Sequence, residues 1–196
     1  MRSSHALGRG TVHGDTAVAS RGVEMADMQW TPVTPAAAPF LHRLANDPLL
    51  MEALGDGPST LATWEGAIAA WLDDPDEADF LITSVSGGPP FGWIGINGLA
   101  STDRVAWIKM LALAPAAWGN GYGSAALGAA KAWLAAERFT RVKLWTDATN
   151  IRARRCYERN GFTVEAERLT ATGSPRGCRR RLCMACALEP AAWASP

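Results

Sequence analysis

Leu111–Leu127 reads LALAPAAWGNGYGSAAL, and its interpretation decides the fold. A strand-like run stops at Pro115, three glycines follow at 119, 121 and 123, and a helical pattern then begins. Glycine is costly at the start of a helix, in both entropy and propensity. Either the glycines form a turn, or a ligand must lie against bare backbone N–H groups. A strand, a glycine-rich turn and a helix N-terminus together make an anion site, because the first turn of a helix has unpaired donors and the positive end of its dipole. The stretch is not a phosphate-binding G-K-S/T loop. Nor is it a dinucleotide G-x-G-x-x-G, since 124 and 126 are Ser and Ala.

Reading outward, MQWTPVTP predicts a short first strand, and PAAAPFLHRLAND and PSTLATWEGAIAAWLDD predict helices. Ser59 is the expected N-cap of the second helix, with an apolar stripe at Leu61, Trp64, Ile68, Trp71 and Leu72. ADFLITSVS, PFGWIGINGLA and RVAWIKMLALAP predict three antiparallel strands separated by GGPP and STD turns. A helix from about Ser124 to Glu137 follows the glycines. RVKLWTDA is a strand, and NIRARRCYERNG is a helix opened by Asn150 and stopped by Gly161. FTVEAERL and CRRRLCMACAL are the last strands. The order is mixed α/β, not the strict alternation of a doubly wound dinucleotide fold. The organisation expected is a disordered leader over 1–25, one domain over 26–190 and a tail over 191–196.

Composition narrows the function. The 196 residues carry 19 basic and 19 acidic side chains and are 48% hydrophobic, which allows one well-filled core and argues against a surface built for nucleic acid. No run of about 18 apolar residues is present, and the N-terminal stretch lacks a secretory apolar core, so a cytoplasmic protein without a membrane span is expected. The spacing of Cys183 and Cys186, with Cys178 upstream, admits a zinc or redox site. In a strand, however, residues three apart point to opposite faces, so buried thiols and no metal are the expectation.

Two motifs taken together resemble the GNAT superfamily of acyl-CoA-dependent N-acyltransferases. The family's central motif is Q/R-x-x-G-x-G/A after a strand ending V-x-P. Here Leu113 and Pro115 stand for the strand end, and Gly121 and Gly123 for the glycines. Its second motif is an Asn, then a Tyr about seven residues on, then Gly-Phe. Here these are Asn150, Tyr157, Gly161 and Phe162. The resemblance covers about residues 27–188. It implies a mostly antiparallel twisted sheet of about seven strands, splayed between its fourth and fifth strands, with about four helices. It also implies acetyl-CoA as co-substrate. The pantetheine arm would pair with the backbone of Leu111, Ala112 and Leu113, a form of strand addition. The pyrophosphate would lie on N–H groups of Trp118, Gly119, Asn120, Gly121, Tyr122, Gly123 and Ser124. Asn150 would bond the pantetheine. Arg154 and Arg155 would reach the adenosine phosphates or remain solvated helix charges.

By the same resemblance, Tyr157 would protonate the departing thiol and a backbone N–H near Leu113 would polarise the carbonyl. The chain departs from the family at Trp118, where Gln or Arg is usual, and near Trp107, where many members carry Glu. The general base is therefore unassigned among Asp79, Asp103, Asp147 and a water chain. Lys109, in an otherwise apolar strand, must reach a carboxylate or the open slot, and a substrate carboxylate is one partner to test. Period-two alternation would place it with Trp107, Leu111 and Leu113. The implied activity is acetyl transfer to a primary amine on a small molecule or protein N-terminus, with a homodimer compatible. The alternatives are a non-catalytic acyl-CoA-binding module and a nucleic-acid surface on the Arg-rich PRGCRRRLC segment.

Overall fold

In a computed structural model, the residues described are 27–54, 57–171 and 178–189. The leader over 1–25 and the tail over 191–196 lie outside them. Seven strands form one sheet: β1 (Gln29–Pro32), β2 (Glu77–Thr83), β3 (Gly92–Asn97), β4 (Val105–Leu113), β5 (Arg141–Asp147), β6 (Thr163–Ala171) and β7 (Cys178–Ala187). Their spatial order is β1-β2-β3-β4-β5-β7-β6. Every neighbouring pair is antiparallel except β4 with β5, which run parallel. The crossover between these two is the helix α4 (Tyr122–Ala136). The remaining helices are α1 (Ala38–Ala45), α2 (Pro48–Leu54), α3 (Leu61–Asp73) and α5 (Ile151–Arg159).

The sheet separates two cores. Ile94, Ile96, Leu127, Leu134, Leu144 and Phe162 belong to the core on the α4–α5 side, and Trp30, Phe80 and Trp133 close its margin. Leu41, Leu50, Ile68, Trp93 and Ala112 form the other, under α1, α2 and α3. There Trp71 stacks on Trp93 and Trp64 meets both edge-on, with centroids 5.2–6.1 Å apart.

Three local expectations are corrected. The N-cap of α3 is Thr60, whose hydroxyl accepts from the Thr63 N–H at 3.2 Å; Ser59 is used elsewhere. Of the expected stripe, Leu61 and Leu72 are 39% and 54% exposed, so α3 buries the Ile68–Trp64–Trp71 side alone. A fifth helix, α2, also forms. Asp47 Oδ1 accepts from the N–H groups of Leu49 and Leu50 at 2.9 and 3.3 Å, and Pro48 sits in the first helical turn, where its missing donor costs nothing.

Candidate active site

The slot is made by a bulge. β3 and β4 pair regularly from Gly92 with Leu113 to Gly95 with Met110; the register then jumps to Ile96 with Ile108, leaving Lys109 unmatched. A bulge bends its strand and ends pairing. On the other side, β4 pairs with β5 only over Val105–Ile108 against Arg141–Leu144. Past that point the two strands diverge. The extra residue also reverses the faces of β4. Ala106 and Ile108 enter the α4–α5 core before it, and Leu111 and Leu113 after it. The alternation expected for Lys109 with Leu111 and Leu113 is thereby broken.

The ladder decides which backbone groups face the opening. Ala114 N–H donates to Phe91 O at 2.8 Å. Antiparallel pairs alternate, so Ala112 spends its N–H and C=O on Trp93. Leu111 and Leu113 turn theirs away from β3, toward the slot. Of the three residues expected to pair with a pantetheine arm, Ala112 is thus the one turned toward β3. The Leu113 carbonyl is already taken by the Trp118 indole N–H at 2.8 Å, leaving the Leu113 N–H and both groups of Leu111 on the slot edge.

At the far end the glycines divide into two kinds. Gly119 and Gly121 have φ of +82° and +81°, the left-handed region that favours glycine. An added Cβ on either would meet nothing within 4 Å, so they border open space. Gly123 is inside α4, and its Cβ would stand 3.2 Å from Cys156 Sγ, so it allows α4 and α5 to approach. Gly121 caps α4 with no side-chain hydrogen bond, unlike Thr60 on α3 or Asn150 on α5. The first intrahelical N–H bond there is Ala125 to Gly121 O at 3.0 Å, so the donors of Tyr122, Gly123 and Ser124 remain open. The helix begins two residues before the expected Ser124. The Trp118 N–H is committed to Pro115 O at 3.1 Å, and the exposed Asn120 amide reaches Ala116 O at 3.4 Å.

One cavity of about 1130 Å³ runs between these two ends. Leu111, Leu113, Trp118, Gly121, Asn150 and Tyr157 all line it; Ala112, Asn120 and Arg154 do not. Gly119, Tyr122, Gly123 and Ser124 border it too. Arg154 donates to Ala148 O at 3.1 Å and faces Glu158. Arg155 does not border the cavity either. Arg152 and Arg159 line the cavity, with Cys156 between them on the same helical face, and the Arg152 guanidinium lies 3.6 Å above the Trp118 ring. Asn150 accepts from Ala153 N–H at 3.1 Å and donates to Ala53 O at 3.0 Å, so it caps α5 and ties down α2. Asn160 donates to Ser124 Oγ at 3.0 Å and Cys156 O at 2.8 Å, fixing the α4 start against α5.

The titrating groups are placed as follows. Burial pushes the Tyr157 phenol well above its ordinary pKa, helped by neighbouring Cys156, so it holds its proton. Its ring packs on Phe162 at 5.9 Å. Asp147 is the one carboxylate on the cavity wall among the described residues. Burial pushes its pKa up, but the N–H and hydroxyl of Thr149, with Arg179 and Arg181, outweigh this and lower it. Asp103 is exposed and bonded to Ser101 and the Val105 N–H, away from the cavity. Asp79 is nearly sealed, with its side chain 4% exposed, and burial raises its pKa despite Lys109 and the Trp93 indole.

Lys109 settles among its own chain's carboxylates rather than waiting for a substrate's. Its ammonium pairs with Glu77, lies 2.9 Å from Asp79 Oδ2, and sits 4.2 Å from the centre of the Trp71 ring. Gly95 makes the crossing possible: a Cβ there would come 2.6 Å from both Asp79 Oδ1 and Lys109 Cε. Among the described residues no three His, Cys, Asp or Glu side chains gather for a metal ion; Cys183 and Cys186 are buried free thiols. No described helix is long and apolar enough to cross a membrane.

The sheet is mixed and opens between its parallel strands, and uncapped helix N–H groups stand at one end of the long cavity. The chain belongs to the acetyltransferase (GNAT) family, whose model matches residues 41–162. It is 33% identical over 117 residues to mycothiol acetyltransferase of Salinispora tropica; the match takes in 57% of this chain but only 38% of that protein. Among solved structures, spermidine N-acetyltransferase from Vibrio cholerae in complex with CoA and spermine superposes with a TM-score of 0.74 at 16% identity, over 84% of this chain and 97% of that one. AAC(6')-Ib in complex with parmomycin and acetyl-CoA gives 0.68 at 21% identity, over 82% and 93%. These likenesses establish the GNAT fold, splayed sheet included. Nothing among them supports a binding module without catalysis.

Proposed function

We propose that this chain transfers the acetyl group of acetyl-CoA to a primary amine by direct attack in a ternary complex. One observation carries the reading. The open donors of α4, the unpaired edge of β4 and Tyr157 all face a single cavity. The α4 N–H groups, with Arg152 and Arg159, suit a pyrophosphate and further phosphate. The Leu111 and Leu113 edge suits the amides of a pantetheine arm and the thioester carbonyl. Acetyl-CoA supplies an activated acyl group. The amine nitrogen bonds to the carbonyl carbon as the carbon–sulfur bond breaks. Tyr157 gives its proton to the departing sulfur and regains one from the amine. Burial keeps Tyr157 neutral, so it enters the step with its proton in place. Asp147, with its lowered pKa, is a weak base, so the ammonium form of the amine loses its extra proton to water before it attacks. The reading extends to the cytoplasm, where acetyl-CoA is available. A homodimer is supported by β6, an edge strand exposed almost throughout, with Leu169 72% and Val164 44% exposed.

The test combines acetyl-CoA calorimetry with thiol release over a panel of primary amines. The wild type is expected to bind and turn over. Tyr157→Phe should lower kcat by about 100-fold or more, with acetyl-CoA affinity and melting temperature nearly unchanged. Equal kcat would remove Tyr157 from the chemistry, and absence of binding would remove the enzyme reading.

A further inference from the structure

A second cavity, of about 240 Å³, lies on the other face of β4, beneath α1, α2 and α3. Leu41, Leu44, Trp64 and Trp93 are among its walls. The two oxygens of Ser59 on its wall already accept bonds. Ser59 Oγ accepts from the Trp64 indole N–H at 2.8 Å and from the Asn46 amide at 3.2 Å, and the Ser59 carbonyl meets His42 and the same amide. The chamber therefore offers a guest mainly apolar contact. An apolar cavity of about 150 Å³ holds benzene, so this one admits a six-membered ring with a short tether. It adjoins the slot: Leu50, Leu54 and Met110 line both spaces. Met110 also stands between the bulge at Lys109 and Leu111, whose N–H faces the slot.

The charges around the slot point the same way. Its lining includes Lys109, Arg152, Arg159 and Arg181, against Asp147 alone. Asp147 already takes two bonds from Thr149 and has Arg179 at 3.7 Å. Glu77 and Asp79 are held by Lys109. Among the described residues no lining carboxylate is free to receive a second ammonium.

We infer that the acceptor is a monoamine whose amino group sits one or two carbons from an aromatic or branched apolar group, and that this group enters the chamber beneath α1–α3. The inference rests on the acetyl-transfer reading for the reaction, but not for the binding. The probe is 2-phenylethylamine, with ethylamine and spermidine as comparisons, and Ala45→Phe as the variant that fills the chamber from the end of α1. Acetyl transfer to 2-phenylethylamine should exceed that to ethylamine by about 30-fold or more in kcat/KM, from burial of the ring. Spermidine should fall near ethylamine. Ala45→Phe should bring 2-phenylethylamine down to the ethylamine level while ethylamine turnover and acetyl-CoA affinity hold. Calorimetric binding of 2-phenylethylamine, lost in Ala45→Phe with an unchanged melting temperature, tests the chamber even if no transfer occurs. A preference for spermidine, or phenylethylamine binding indifferent to Ala45→Phe, would overturn the inference. Failure of acetyl-CoA to bind would overturn only the enzyme reading.

Discussion

The glycine loop at one end of the slot and the ion cluster under α3 at its middle solve opposite problems. The loop leaves backbone donors open: α4 starts at Gly121 with no side-chain cap. The cluster closes everything it contains, with Lys109 between Glu77 and Asp79 and roofed by Trp71. Open donors next to solvent cost little and await an anion. Buried charges are costly and must be paired at once. One end thus leaves its donors open, and the middle holds a bulged strand in shape.

The largest expected effect comes from breaking the closed region. Lys109→Met leaves Asp79 buried beside Glu77 without its cation, at a cost of about 3–5 kcal/mol in denaturant unfolding. The pH sense follows from the raised pKa of Asp79. A carboxyl with a raised folded-state pKa contributes stability in full below its unfolded value. That contribution is lost as pH rises through the folded value. Without Lys109 the folded pKa rises further, so the gap between variant and wild type should widen from acid toward neutral pH. Lys109→Met with Asp79→Asn should recover most of the loss. A cost under about 1 kcal/mol at neutral pH would mean that the cluster is solvated.

The open region breaks more gently. Gly121 has a left-handed φ, so Gly121→Ala costs about 1–2 kcal/mol of strain whatever binds nearby, and Gly121→Asn less. A valine there would confound strain with ligand exclusion. The useful quantity is the drop in acetyl-CoA affinity of Gly121→Asn, measured by calorimetry at matched stability. A drop of about tenfold or more in that variant would place the ligand against the loop, and an unchanged affinity would make the loop a turn only.

The two regions also differ in how much of them the sequence discloses. The loop and α5 are short-range structures, so Gly121, Gly123, Asn150 and Tyr157 could be picked out by spacing. The splay between the fourth and fifth strands followed from the family motifs. The cluster is assembled from β2, β3 and β4, and only the pairing register brings Glu77, Asp79, Gly95 and Lys109 together. A bulge has no composition of its own, so strict alternation misplaced Lys109. Helical phase is a signal for α5: Arg152, Cys156 and Arg159 share the side that lines the cavity, and Arg154 lies off it. The Asp47-Pro48 pair is likewise a local signal for the start of α2.

Neighbouring residues Ser59 and Thr60 offer the finest discrimination. Thr60 caps α3 from an exposed position, through one bond to the Thr63 N–H. Thr60→Ala should cost about 1 kcal/mol in unfolding and leave acceptor preference alone. Ser59 lies one residue earlier, but its hydroxyl receives the Trp64 indole on the wall of the apolar chamber. Ser59→Ala leaves that N–H unpaired in a half-buried place, at about 1–3 kcal/mol, and frees the ring to turn into the chamber. The expected signature is a larger stability loss than in Thr60→Ala, joined to weaker 2-phenylethylamine binding. Were the two losses equal, with binding untouched in both, Ser59 would be no more than part of the helix start. The wall of the chamber would then be held by packing alone.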